Sequence, residues 1–138
     1  MAVRLGDLQT LLGDFEMPEF LTADDDYVCQ ECGDLVQKKI RVQPRGRALL
    51  LHLKRFDNAG RKRGVLVTFP RVLNLGTARY DFASVIEHIG STMTGGHYVA
   101  HVDSSGFKCC NDEVITDTTW ENVETRQAYL LVYVRANA

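Results

Sequence analysis

Two short segments of this 138-residue chain carry side chains suited to proton transfer: Gly95-Gly96-His97-Tyr98-Val99-Ala100 and Cys110-Asn111-Asp112. Imidazole titrates near neutral pH, so a histidine at position 97 can take a proton and return it. The side-chain oxygen of Asn111 can accept from one ring nitrogen and leave the other as a free base. A base held by an orienting amide is two-thirds of a Cys-His-Asn arrangement for nucleophilic catalysis by a thiol. An ordinary hairpin with a polar face would carry the same residue types, so spacing alone leaves both readings open.

The elements that must bring these residues together are legible around them. His97–Asp103 and Phe107–Glu113 read as strands, and Ser104-Ser105-Gly106 reads as the turn joining them. A turn centred on Ser105 sets Val99 opposite Asn111 and places the odd-numbered residues of both strands on one face. His97 and Asn111 then become diagonal neighbours, roughly 7–8 Å apart at the backbone and within side-chain reach, whereas a two-residue register shift would set them directly opposite, and either register allows the contact. Elsewhere, Leu8, Leu11, Leu12 and Phe15 recur at helical spacing behind Asp7, which predicts a short capped helix. The acidic stretch Thr22–Asp26 reads as a loop. Ala48–Phe56 is the expected central strand, Val65–Phe69 a short strand stopped by Pro70, and Tyr80–Gly90 a long strand. Trp120–Val123 is one helical turn, and Ala128–Arg135 a closing strand. Many strands with little helix predict a strand-dominated α+β fold on a largely antiparallel sheet, in a single domain over residues 1–138.

Composition narrows the function classes. Hydrophobic residues make up 45% of the chain, enough for one core, and no apolar run approaches the length of a membrane span. With no secretory signal either, the expectation is an intracellular protein, cytoplasmic or nuclear, with no membrane partner. The net charge of −2 conceals a strong asymmetry. Residues 1–34 carry nine acids against one base, and residues 38–63 carry ten bases against one acid. The basic stretch could serve a nucleic acid. Its bases, however, interrupt strand patterns around Ile40 and Val42, and Asn58–Gly64 reads as a solvated loop, so nucleic acid is disfavoured as a partner.

The chain contains, in order, Tyr27-Val28-Cys29-Gln30-Glu31-Cys32, Leu50-Leu51-His52-Leu53-Lys54-Arg55-Phe56, Phe69-Pro70, Tyr80-Asp81-Phe82, Val85-Ile86-Glu87-His88-Ile89-Gly90, the Gly95–Ala100 segment, Asn111-Asp112-Glu113-Val114 and Ala128–Tyr133. This succession resembles the C-terminal half of the ubiquitin-specific proteases, papain-like cysteine proteases that remove ubiquitin. The resemblance runs from about Leu8 to Val134. It implies that the sheet is the palm of that fold, that His97 is the catalytic base, that Asn111 is the third triad member, and that Asp112 is a polar support beside them. It also implies a channel for the ubiquitin tail at His88, Gly95, Gly96 and Tyr98. The implied partners are ubiquitin or a ubiquitinated protein, together with a Cys-containing N-terminal half. The family's nucleophile box, in the helical thumb, has no counterpart here, since no cysteine precedes Cys29. The chain alone is therefore expected to be inactive.

The four cysteines offer little replacement. Cys29 and Cys32 form a Cys-x-x-Cys, half of a tetrahedral zinc site, so structural zinc is expected only where two further ligands are supplied; catalysis itself requires no cofactor. Cys109 falls opposite His101 and Cys110 points to the other face, and both read as small packing residues. His52, inside an apolar run, is expected in the core. His101 is expected to be partly exposed, and His88 either lines the channel or plays a structural part. Three functions stand at this point: the His/Asn half of a deubiquitinase, a non-catalytic ubiquitin-binding module, and, more weakly, a Cys-x-x-Cys and basic-patch nucleic-acid binder.

Overall fold

The structure, a computed structural model, describes residues 6–21, 29–33 and 36–136; the acidic stretch 22–26 lies outside them. Asp7 opens the chain's main helix, α1 (Leu8–Glu16), after a two-residue strand β1 (Gly6–Asp7). The Asp7 carboxylate accepts from the Thr10 amide at 2.9 Å, satisfying one of the orphan N–H groups of the first turn. Leu8, Leu11 and Leu12 are buried, while Phe15 sits at the margin of the stripe, 38% exposed.

Short strands β2 (Glu19–Leu21) and β3 (Val36–Lys38) pair with each other. The remaining strands are β4 (Ala48–His52), β5 (Val67–Thr68), β6 (Val72–Leu75), β7 (Ala78–Ile89), β8 (His97–Asp103), β9 (Phe107–Asn111), β10 (Val114–Asp117) and β11 (Ala128–Arg135), with a single-turn helix α2 (Trp120–Val123) before the last. Seven of these form one antiparallel sheet in the order β10-β9-β8-β7-β11-β4, with β6 sharing the edge of β7 along its first residues. Strand β5 pairs in parallel with β1. The fold is strand-dominated, as the sequence implies.

The strand expected over Phe107–Glu113 ends at Asn111, because Asp112 and Glu113 turn the chain back into β10, and two further placements differ from the sequence reading. Ala48–His52 is an edge strand, and Leu50 on its outer face is 63% exposed. Its apolarity does not distinguish an edge from a centre. The interior position goes to β11, which hydrogen-bonds to β7 on one side and β4 on the other. His52 falls on the same outer face, exposed, with its ring edge-on to Tyr129 at 4.8 Å. It is not the core histidine expected.

The core lies on the face of the sheet that bears Val85, Phe82, Leu131 and Tyr133, closed by α1, Leu53, Val67, Phe69 and Val123. Each fully buried Leu or Val there contributes about 1.5–3 kcal/mol of transfer free energy. Phe82 is its hub, with the Trp120 ring edge-on at 5.2 Å and Tyr133 edge-on at 5.9 Å. Arg55, expected in a solvated face, is instead fully buried. Its guanidinium donates to the carbonyls of Ala128 (2.6 Å), Val65 (2.6 Å) and Arg63 (3.1 Å), stapling the loop that follows β4 to the start of β11. A guanidinium can be buried there because the carbonyls it meets would otherwise have no donors; its pKa is drawn down by that burial.

Candidate active site

Strands β8 and β9 pair as Ala100↔Cys110, His101↔Cys109 and Asp103↔Phe107, around a three-residue loop in which Ser105 and Gly106 both adopt positive φ. This register places Val99 across from Asn111 and leaves His97 on the diagonal. The imidazole Nε2 of His97 lies 2.5 Å from Oδ1 of Asn111. An amide oxygen only accepts, so Nε2 carries the hydrogen and the lone pair of the neutral ring resides on Nδ1. His97 is half-buried and Asn111 exposed, and they lie at the start of β8 and the end of β9.

Asp112 occupies the two-residue turn between Asn111 and Val114 with φ +52°, exposed and making no hydrogen bond or ion pair among the described residues. Its visible work is to supply a left-handed residue, which Asp tolerates well. The hairpin it closes fixes Asn111 as the last residue of β9.

The loop before His97 is built on glycine. Gly96 has φ +157°, and a Cβ there would stand 2.0 Å from Nε2 of His88. A Cβ at Gly90, which has φ +146°, would stand 3.0 Å from the Gly96 Cα on the other side of the loop. Gly95 accepts from the Thr92 hydroxyl at 3.1 Å. His88 is thus largely buried under the loop, and it also borders an open cleft together with Lys62, Glu87, Gly90 and Gln127. Its ring packs against Tyr98 (4.9 Å), Phe56 (5.6 Å) and Tyr129 (6.0 Å). Tyr98, 52% exposed, presents the outer side of this aromatic cluster to solvent.

The other candidates separate from this site. Cys109 is paired with His101, four residues along β8 from His97, or about 13 Å at strand rise; it cannot reach the His97 base. Cys29 and Cys32 share a turn closed by the Gly33 amide on the Cys29 carbonyl at 2.9 Å. The amides of Cys32 and Glu31 point at the Cys29 sulfur and lower its pKa, a geometry that suits a metal thiolate. Among the described residues no further His, Cys, Asp or Glu converges with them.

His101, expected to be partly exposed, is 1% exposed because its face of β8 is the core face. Its Nε2 meets the Glu87 carboxylate at 3.2 Å, and Arg126 approaches the same oxygen at 3.8 Å. Sequence reading missed this buried cluster, although a Glu inside the apolar run Val85–Ile89 was a usable sign of it.

Comparison with known proteins places this geometry. A family model, ubiquitin carboxyl-terminal hydrolase, matches residues 20–133. The chain belongs to that family. It is 30% identical to ubiquitin carboxyl-terminal hydrolase 25 of Arabidopsis thaliana over 89% of the chain and 21% of that protein. With ubiquitin carboxyl-terminal hydrolase 3 of Mus musculus it shares 31% identity over 95% of the chain and 29% of that protein. Among solved structures it superposes on the SAGA Ubp8/Sgf11/Sus1/Sgf73 DUB module bound to ubiquitin aldehyde with a TM-score of 0.84, at 27% identity over 99% of the chain and 35% of that one. The chain spans roughly a fifth to a third of the length of these ubiquitin carboxyl-terminal hydrolase relatives.

Proposed function

We propose that this chain is the His/Asn part of a thiol-dependent deubiquitinase. It would pair with a Cys-bearing segment to hydrolyse the bond after the C-terminal glycine of ubiquitin. The observation that carries this reading is the Nε2–Oδ1 contact between His97 and Asn111, which leaves Nδ1 as the basic nitrogen of a ring that directly follows two glycines. A thiol brought to that nitrogen gives up its proton to it, and the thiolate attacks the carbonyl carbon. The imidazolium returns the proton to the departing amine, leaving a thioester that water then hydrolyses with His97 again as base. Asn111 holds the ring in the productive tautomer throughout. No step uses a metal.

A channel for an extended Gly-Gly tail follows from the same elements. Gly95 and Gly96 leave the approach to His97 without side chains, and Tyr98 supplies an exposed ring as one wall. The second reading, a ubiquitin-binding module without chemistry, is supported for the chain in isolation by the distance of Cys109 from His97. Against the nucleic-acid reading, several of the clustered bases are engaged: Arg55 is buried, Lys62 is bound to backbone carbonyls and Arg61 is paired with Asp57 at 3.0 Å. Zinc at Cys29 and Cys32 would require two thiolates or imidazoles from another segment.

Titrating ubiquitin into the labelled chain and following amide shifts tests the channel. Changes should centre on Gly95, Gly96, His97 and Tyr98, and should vanish with ubiquitin lacking its terminal residues. An equal response to tail-less ubiquitin would place the contact on some other surface.

A further inference from the structure

The sequence offers Lys62 as one base among ten in a solvated stretch. The structure gives it a specific task. Its ammonium donates to the carbonyl of Gly90 at 2.9 Å and, in a short contact, to that of His88. These carbonyls are two residues apart and so project from the same edge of the chain. They flank Ile89, the residue paired with His97 across the sheet. Strand β11 pairs with β7 only as far as Glu87, so beyond that point β7 has a strand partner on one side only. Lys62 takes up the edge that β11 leaves, satisfying carbonyls that would otherwise face solvent at the base of the loop.

The backbone of Lys62 is itself held. Residues 57–61 form a closed tip in which the Asp57 carboxylate accepts from the amides of Ala59 and Arg61, both at 2.9 Å, and Gly60 takes φ +74°. Lys62 bridges Phe56 at the root of this tip, and the Phe56 ring packs on His88. The charged groups around the ammonium are Arg55, which lies on the same segment, and Glu87, which lies on β7. Partial burial, with Arg55 nearby, draws its pKa down, and Glu87 opposes that shift.

We infer that Lys62 is a positioning residue for His97: by clamping the His88 and Gly90 carbonyls it fixes the end of β7 against which β8 begins, and with it the placement of the His97 ring beside Asn111. The inference builds on His97 as the base, but its first test does not require catalysis.

In long-range imidazole spectra of the chain, wild-type His97 should show one neutral tautomer, protonated at Nε2. Lys62→Met should mix the tautomers and speed amide exchange at Ile89 and His97, while the amides of Leu131 and Tyr133 keep their shifts and protection. Lys62→Arg, which retains two donors and the charge, should restore the wild-type pattern. In a protein that supplies the thiol, Lys62→Met should lower kcat between about tenfold and a hundredfold, the scale of a misplacement near 1 Å, with KM within about twofold. If Lys62→Met fails to fold, Lys62→Gln is read in the same way. An unchanged His97 spectrum in a folded variant overturns the inference. So does protection lost as strongly at Tyr133 as at Ile89, which would make Lys62 a general fold stabiliser. A changed spectrum with unchanged kcat would retain the positioning and reject His97 as base, so the two failures are separable.

Discussion

Substitution of Gly96 by alanine examines the contact on which the loop is built. The new Cβ would lie 2.0 Å from His88 Nε2, against an ordinary carbon contact of about 3.5–4 Å, so the ring or the loop must yield by about 1.5 Å or more. The ring has little room to do so, being 3% exposed and flanked by Phe56, Tyr98 and Tyr129. Overpacking of this kind costs about 1–3 kcal/mol. A Cβ at φ +157° adds a backbone cost on the order of 1 kcal/mol or more. Gly96→Ala should therefore destabilise the chain by about 2–4 kcal/mol. In a His88→Ala background the steric part disappears, and the same substitution should cost only about 1 kcal/mol. The difference, a coupling of about 1–3 kcal/mol, is read from urea unfolding midpoints of the four proteins at constant m. An equal cost in both backgrounds would refute the claim that the His88 ring dictates glycine at 96.

Further outcomes follow from the buried and capped groups. Arg55→Met should lower stability by about 3–5 kcal/mol in the same urea measurement, because it leaves three backbone carbonyls without their donor. Arg55→Lys should recover only part, lacking the fork that reaches all three. Asp57, whose pKa is lowered first by the backbone amide of Arg61, gives stability that is full above the ordinary value of 3.8 and is lost as pH falls through its lower folded value. Asp57→Asn should flatten that acid-side decline in a pH series of melting temperatures, and an unaltered slope would count against the tip being closed by this carboxylate.

The β8–β9 ribbon was the most legible part of the chain because it is local. One turn sets the β8–β9 register, and the period of two then decides which residues share a face. The helix behind Asp7 and the closing strand Ala128–Arg135 were readable for similar reasons, a cap and periodicity in one case and an unbroken apolar run in the other. What escaped was decided by tertiary neighbours. Leu50 and His52 lie in an apolar run yet face outward, because β11 and not β4 holds the sheet interior. Arg55 and Lys62 resemble the solvated bases around them, and only carbonyls brought from Ala128 and Gly90 explain why they are held. His88 and His101 carry little local sign of their burial beyond the apolar run around Glu87. One is buried by Gly96 and three aromatic rings, the other by its place on the core face beside Glu87.

The central claim is that His97, turned by Asn111, is the base for a thiol that this chain does not itself place beside it. It is tested most directly by hydrolysis of a ubiquitin C-terminal fluorogenic amide by the chain alone and by a protein joining it to a Cys-bearing segment. The chain alone should not exceed the buffer rate. The joined protein should turn over, His97→Ala should remove several orders of magnitude of that rate, and Asn111→Ala should remove less. Activity that survives His97→Ala, or turnover by the chain alone that disappears with Cys109→Ala, would contradict the assignment.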